Sequence, residues 1–232
     1  AGIVIGKEPL VNYVPLYRDS KTGKIATQYH KDLLEKCGLV KMDFLGLKTL
    51  TLLKRTEGLV QKKGGEYANF YLKDIDYTDQ ETFALLSKGL SAAVFQFESQ
   101  GMQNILKRVK PTKVEELIAL NALYRPGPMD YIDQFIASKA DPSKIKYPHP
   151  SLEDILSETY GVIVYQEQVM QVAQRIAGYT LGQADMLRRA MSKKKDMESY
   201  KVTFIEGALK QGYSKEVAED IFEILIPFSG YG

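Results

Sequence analysis

CGLVKMDFLGLKTLTLLK, residues 37–54, changes its period part-way along. Up to Gly46 it reads as a strand. Side chains in a strand alternate between faces. Val40, Met42 and Phe44 then point one way, and Lys41 and Asp43 the other, roughly 7 Å apart along the strand. From Leu47 onward the period is helical, with Leu47, Leu50, Leu53 and Lys54 recurring at steps of three and four. A charged pair on one face of an otherwise apolar strand suggests an acid exposed in a cleft.

Upstream, residues 1–16 read as β-like. Ala1–Gly6 and Leu10–Leu16 are short and rich in Val, Ile and Tyr, punctuated by Pro9 and Pro15. Arg18–Lys24 is a polar turn containing Gly23. Downstream the chain is mostly helix with short loops. Gly64-Gly65 breaks the first helix. Thr78-x-x-Glu81 and Thr112-x-x-Glu115 read as capping boxes. Ser99 caps GMQNILKRVK, which Pro111 stops, and Ser151 caps LEDIL. Tyr124-Arg125-Pro126-Gly127-Pro128 is a stiff turn that ends a helix. Helices follow over Gln166–Ile176 (ended by Gly178), Gln183–Lys195, Met197–Gln211 and Ser214–Ile226. The expected fold class is α+β: a small β-containing segment over about 1–50, then a mainly α-helical domain over 51–232.

Composition bounds the function only loosely. The chain has 232 residues, 44% hydrophobic and 26% charged, which suits a globular protein. A net charge of +2 does not announce nucleic-acid binding, so any basic surface must come from local clustering. Cys37 is the sole cysteine, which excludes an internal disulfide, and His30 and His149 lie far apart with no zinc spacing. No apolar run approaches the ~20 residues of a membrane span, and Ala1–Ile5 is too short for a signal peptide. An intracellular, soluble protein is expected. Both ends read as cuts through a longer polypeptide.

Four features carry chemistry, each beside a plainer reading. Lys41 and Asp43 suit a solvent-facing strand edge. They equally suit a carboxylate for a hard divalent cation, which takes one or two carboxylates plus substrate phosphates. In Asp185-Met-Leu-Arg-Arg-Ala-Met-Ser-Lys-Lys-Lys195, five of residues 188–195 are basic. Arg188, Ser192 and Lys195 share a helix face, and Arg189 neighbours Lys193. Met186, Leu187, Ala190 and Met191 supply an apolar side. Such a run is commonly a solvated face. Here no acid interrupts 186–195, so like charges repel unless an anion neutralises them, and arginine's fork suits phosphate. VIVYQEQVMQ, 162–171, enters a helix with Tyr165, Gln166 and two further glutamines, which are exposed polar residues or base contacts. FQFESQGM, 95–102, looks structural. Arg125, held between a helix end and two prolines, suits an anion contact or a buried salt bridge.

LVKMDFLGLKTL (39–50), AAVFQFESQGMQNILKRVKP (92–111), ALNALYRPGPMD (119–130), TYGVIVYQEQVMQVAQRIAGYTLGQADMLRRAMSKKK (159–195) and FSGYG (228–232) resemble the C-family DNA polymerases. The similarity is to the replicative alpha subunits of bacterial polymerase III. It runs through nearly the whole chain in the family's order. It implies the last part of a palm over 1–50 and nucleotide-binding fingers over 51–232. In that family three aspartates bind metal, and Asp43 matches the third. Lys41 matches a basic neighbour facing the triphosphate, and Arg188 and Arg189 match the arginines of an RRAM-type motif.

The resemblance implies template-directed addition of deoxynucleotides to a primer 3′-OH. Two Mg²⁺ ions would hold the attacking and leaving oxygens. Asp43 would be the catalytic, metal-holding carboxylate, while Lys41, Arg188, Arg189 and Lys193 would bind the triphosphate. Tyr165, Gln166, Arg125 and Tyr231 are candidate base or template contacts. Implied partners are deoxynucleoside triphosphates, primer–template DNA and, through regions absent here, other holoenzyme subunits. A cytoplasmic, nucleoid-associated setting and no membrane are implied as well. The family's first two metal-binding aspartates have no match; Asp74/Asp76 in KDIDYTD lie on the wrong side of Asp43 and read as surface. The chain alone is therefore expected to be inactive. A non-enzymatic helical nucleic-acid-binding module and a ligand-free interaction domain are the alternatives.

Overall fold

The computed structural model describes residues 2–193 and 197–227, with backbone alone at 192 and 193. The chain forms two compact units, Ala1–Ile75 and Asp76–Gly232.

In the first unit, β1 (Gly2–Ile5) pairs antiparallel with β4 (Val40–Asp43), and β2 (Leu16–Arg18) with β3 (Ile25–Thr27). The β1–β4 register sets Gly2 opposite Asp43 and Val4 opposite Lys41. A small core of Val14, Leu34 and Leu39 lies beside Val4, Leu10, Tyr13 and Leu16. Leu10–Leu16 is not one extended segment. Leu10–Asn12 is a 3-10 turn, with Asn12 N donating to the Pro9 carbonyl at 2.9 Å and Val14 N to that of Leu10 at 3.0 Å. The turn brings Val14 into the core, and β2 starts only after Pro15. The helical period from Leu47 becomes α1 (Lys48–Gln61). Its Glu57 is buried, paired with Lys54, and accepts from Leu72 N at 3.0 Å.

The second unit is helical: α2 (Gln80–Ser87), α3 (Gln100–Val109), α4 (Val114–Leu123), α5 (Ile132–Ala140), the short α6 (Glu153–Leu156), α7 (Gln166–Ala177), α8 (Leu181–Lys193), α9 (Met197–Lys210) and α10 (Lys215–Leu225). The α+β, mainly helical architecture is as expected from the change of period at Leu47. One core joins α3, α4 and α5 through Met102, Leu106, Leu120, Leu123 and Phe135. Another joins α7 to α10 through Val172, Ile176, Leu187, Met191, Phe204 and Phe222. Among the described residues no helix is long and apolar enough to cross a membrane.

Three of the expected caps are replaced by neighbours. Asp79, not Thr78, caps α2, accepting from Glu81 N and Thr82 N. A carboxylate one residue nearer the helix reaches both amides, while the Thr78 hydroxyl turns to Asp76 at 2.6 Å. Before α6 it is His149 that accepts from Ser151 N. Before α4 the acid reaching back to Thr112 N is Glu116 and not Glu115, at 2.7 Å. Ser99 and Ser214 cap α3 and α10 as their positions suggest.

Glu116 is buried within a network. It pairs with Lys139 Nζ at 2.9 Å and accepts the Tyr160 hydroxyl at 2.5 Å. Burial pushes its carboxyl upward, but Tyr160, Thr112 N and Lys139 outweigh that and hold it below the usual carboxylate range. Its contribution to stability is therefore present at neutral pH and fades as pH falls through the carboxylate range. Lys139 also donates to the Val109 carbonyl at 3.0 Å, tying α5 to the end of α3. Lys139→Met leaves a buried carboxylate without its cation, so a loss of about 3 kcal/mol or more is expected in urea unfolding at pH 7. A change under about 1 kcal/mol would show the network to be marginal.

Candidate functional site

Asp43 and Lys41 leave the same face of β4. The Lys41 ammonium lies 3.2 Å from the Asp43 carboxylate, which is 65% exposed. Val40, Met42 and Phe44 on the other side are exposed too. Gly2 lies across the ladder from Asp43, a pairing that its position in the sequence does not reveal. A Cβ there would fall 2.9 Å from Asp43 Oδ1 and 3.2 Å from the Met42 carbonyl. The glycine therefore leaves the carboxylate its space, a close approach of the kind that places Gly inside a strand.

In the second unit the helix α8 carries the two arginines. Leu187 and Met191 are buried and fix its orientation, while Met186, expected on the apolar side, is exposed. No acid lies within 186–195, and it is Asp185, one residue ahead, that meets both arginine charges. Its Oδ1 accepts from Arg188 Nε at 3.1 Å and NH2 at 2.8 Å, and its Oδ2 from Arg189 Nε at 2.8 Å. Spacings of three and four bring all three groups to one face. The Arg188 bond and the two guanidinium charges hold the Asp185 carboxyl below its ordinary range. Arg188 NH1 also donates to Gln166 Oε1 at 2.9 Å. Gln166 thus reaches the arginine, a contact that sequence spacing does not show.

Gln168, grouped with the polar exposed residues of its helix, is buried. Its Oε1 accepts from Val164 N at 2.8 Å and Tyr165 N at 3.0 Å. Its Nε2 donates to the Ile155 carbonyl at 3.2 Å and Thr159 Oγ1 at 2.9 Å. It pins the entry to α7, and with it Tyr165 and Gln166. Burial, then Glu158 and Glu115, push the Tyr165 hydroxyl up to about 12, so it stays protonated at neutral pH.

Arg125 is exposed, and among the described residues its guanidinium forms no ion pair or hydrogen bond. The buried-salt-bridge reading is thereby excluded. With Tyr165, Gln166, Glu167 and Pro128 it lines one cavity. Arg125, Tyr165, Gln166 and Arg188 therefore form a continuous set in the second unit. The Lys193 side chain and Tyr231 lie outside the described residues. Asp74 and Asp76 are exposed. Among the described residues no cluster of three or more His, Cys, Asp or Glu could hold a metal; Asp43 is a single exposed carboxylate.

A strand-borne carboxylate followed by an arginine-bearing helical unit is a domain order with a counterpart among known families. Residues 49–212 match the family model of the bacterial DNA polymerase III alpha subunit finger domain, and residues 1–46 that of the bacterial DNA polymerase III alpha NTPase domain. The chain belongs to the bacterial DNA polymerase III alpha subunit family. It is 70% identical to DNA polymerase III subunit alpha of Treponema pallidum and 61% to that of Borreliella burgdorferi. In both cases the match covers 100% of this chain and 20% of the relative. Identity to the Bacillus subtilis protein of the same name is 47%, over 21% of that protein. The chain thus spans about a fifth of the length of the curated relatives it matches.

Proposed function

We propose that the chain is the end of the palm (1–50) and the fingers (51–232) of a DNA-directed DNA polymerase. That polymerase adds deoxynucleotides to a primer 3′-OH against a template. The observation that carries the reading is the arginine pair on α8, held side by side by one carboxylate. A guanidinium fixed before the substrate arrives needs no reorganisation as charge builds on the leaving pyrophosphate. Arg188 keeps one N–H on each terminal nitrogen beyond those given to Asp185 and Gln166. Arg189 extends the same charge, and Lys193, further along the basic run of the sequence, is assigned to the same triphosphate. Lys41 would leave Asp43 for a phosphate oxygen.

Asp43 fits Mg²⁺ as one hard-oxygen ligand, with the remaining carboxylates supplied from outside this chain. Bound Mg²⁺ supplies neutralisation of the charge that develops in phosphoryl transfer. Primer–template DNA and the other holoenzyme subunits are the proposed partners, in the bacterial cytoplasm at the nucleoid.

Titrating the full-length protein with nucleotides tests the reading. Triphosphate should bind far more tightly than monophosphate, through Arg188 and Arg189. A preference for polynucleotide over triphosphate, with steep salt dependence, would instead make α8 a DNA-backbone contact. Asp185→Asn keeps the shape and removes the charge that orients both forks. It should raise the triphosphate KM about 3- to 10-fold and leave primer–template Kd unchanged, since a hydrogen bond to a charged group is worth roughly 1.5–3 kcal/mol and the amide keeps part of it. An unchanged KM would show that the arginines orient themselves.

A further inference from the structure

The segment 91–98, SAAVFQFE, folds into two successive turns, with Val94 N on the Ser91 carbonyl at 3.1 Å and Phe97 N on that of Val94 at 2.9 Å. Ala93 and Gln96 both take left-handed backbone, at φ 62° and 68°. Side-chain-bearing residues rarely adopt it, and such strain collects at functional sites. The loop is anchored beneath by Phe97, buried in the core, and by the buried Ser91 hydroxyl, which donates to the Phe97 carbonyl at 2.6 Å. Gln96 is thereby aimed at α4, where its amide oxygen meets Asn121 Nδ2 at 3.4 Å.

Between them runs a groove lined by Gln96, Ile118, Asn121, Tyr124, Arg125 and Tyr165. It shares Ala122, Arg125 and Tyr165 with the cavity that leads to Gln166. Tyrosine rings and Ile118 offer flat apolar contact to a base. The two amides each donate and accept, so they suit any base edge without choosing one. Among the lining residues Arg125 alone is cationic. One guanidinium matches a phosphodiester better than a triphosphate.

We propose that this groove holds an unpaired nucleotide of the template strand, next to the one being copied. The proposal rests on the triphosphate reading of Arg188 and Arg189, which sets the neighbouring cavity on the incoming-nucleotide side. Stacking on tyrosine tolerates every base, as a copied strand requires.

The test uses the full-length polymerase and two templates that differ only in having one or four unpaired nucleotides beyond the primer end. Single-nucleotide kcat/KM on the longer overhang should exceed that on the shorter by about fivefold or more, the lower range of one stacked base. Asn121→Ala and Gln96→Gly should each bring that ratio towards one; glycine accepts the left-handed backbone, so the loop is kept. Activity on the short overhang reports that each variant is folded. If Asn121→Ala does not fold, Gln96→Gly decides. No gain in the wild type, or an undiminished ratio in the folded variants, overturns the proposal. Arg188→Ala separates the two readings. If it leaves the nucleotide KM and kcat unmoved, the triphosphate reading fails; if it moves them while the overhang ratio survives in the variants, the groove alone is wrong.

Discussion

Asp43→Asn in the full-length polymerase is expected to abolish primer extension, a loss of at least about 10³-fold in kcat. The carboxylate is exposed on β4, and the small core of its unit is built from other residues, so the change should leave the fold unaltered. What it removes is a negative oxygen that a hard cation needs; an amide oxygen binds far more weakly. Primer–template affinity should persist, because on the proposed reading phosphate contacts elsewhere would supply it. Gly2→Val should reproduce part of the loss without touching a charge, since its Cβ would displace the Asp43 carboxylate. The isolated 232-residue chain should not extend a primer at all, since on the proposed mechanism it holds one of the carboxylates required. Extension by Asp43→Asn within tenfold of wild type would remove Asp43 from the catalytic site.

How far the sequence discloses this arrangement depends on whether a contact is local. The strand at 40–43 and the helices that follow are legible because periodicity and glycine and proline stops act within a few residues. So is the pairing of Lys41 with Asp43, two positions apart on one strand face. The caps are legible only to within a residue or so. Thr78, Asp79, Glu115 and Glu116 all have suitable side chains, and the final backbone angles decide which one reaches. Gln168 is misread because two of its four hydrogen-bond partners, Ile155 and Thr159, lie 13 and 9 residues back, and exposed glutamines are the commoner case. Asp185 is within reach of the sequence, since its two arginines lie three and four residues further along one helix. Gln166 reaches Arg188 across 22 residues, and Gly2 meets Asp43 only through strand pairing. These last two, and the Gln168 bonds to Ile155 and Thr159, are tertiary contacts, which spacing along the chain does not encode.

Arg188→Ala and Arg189→Ala should each cut kcat/KM for the incoming nucleotide by about 10²–10³-fold, roughly 2–4 kcal/mol, with the fold intact. A guanidinium on the triphosphate gains strength as negative charge gathers on the departing pyrophosphate, so its loss falls on the transition state. Arg188 should be the more sensitive. It is only 23% exposed and is held from two sides, by Asp185 and by Gln166, while Arg189 is 56% exposed. Lysine at either position should restore part of the activity, because it offers a point charge in place of a fork and cannot take both Asp185 and a phosphate in one plane. Lys195→Ala, at the far end of the basic run, should cost much less. Steady-state kinetics with varied nucleotide, beside primer–template Kd by anisotropy, decides the matter. If all three alanine variants lose primer–template affinity equally and keep their nucleotide KM, α8 grips the DNA backbone and the triphosphate lies elsewhere.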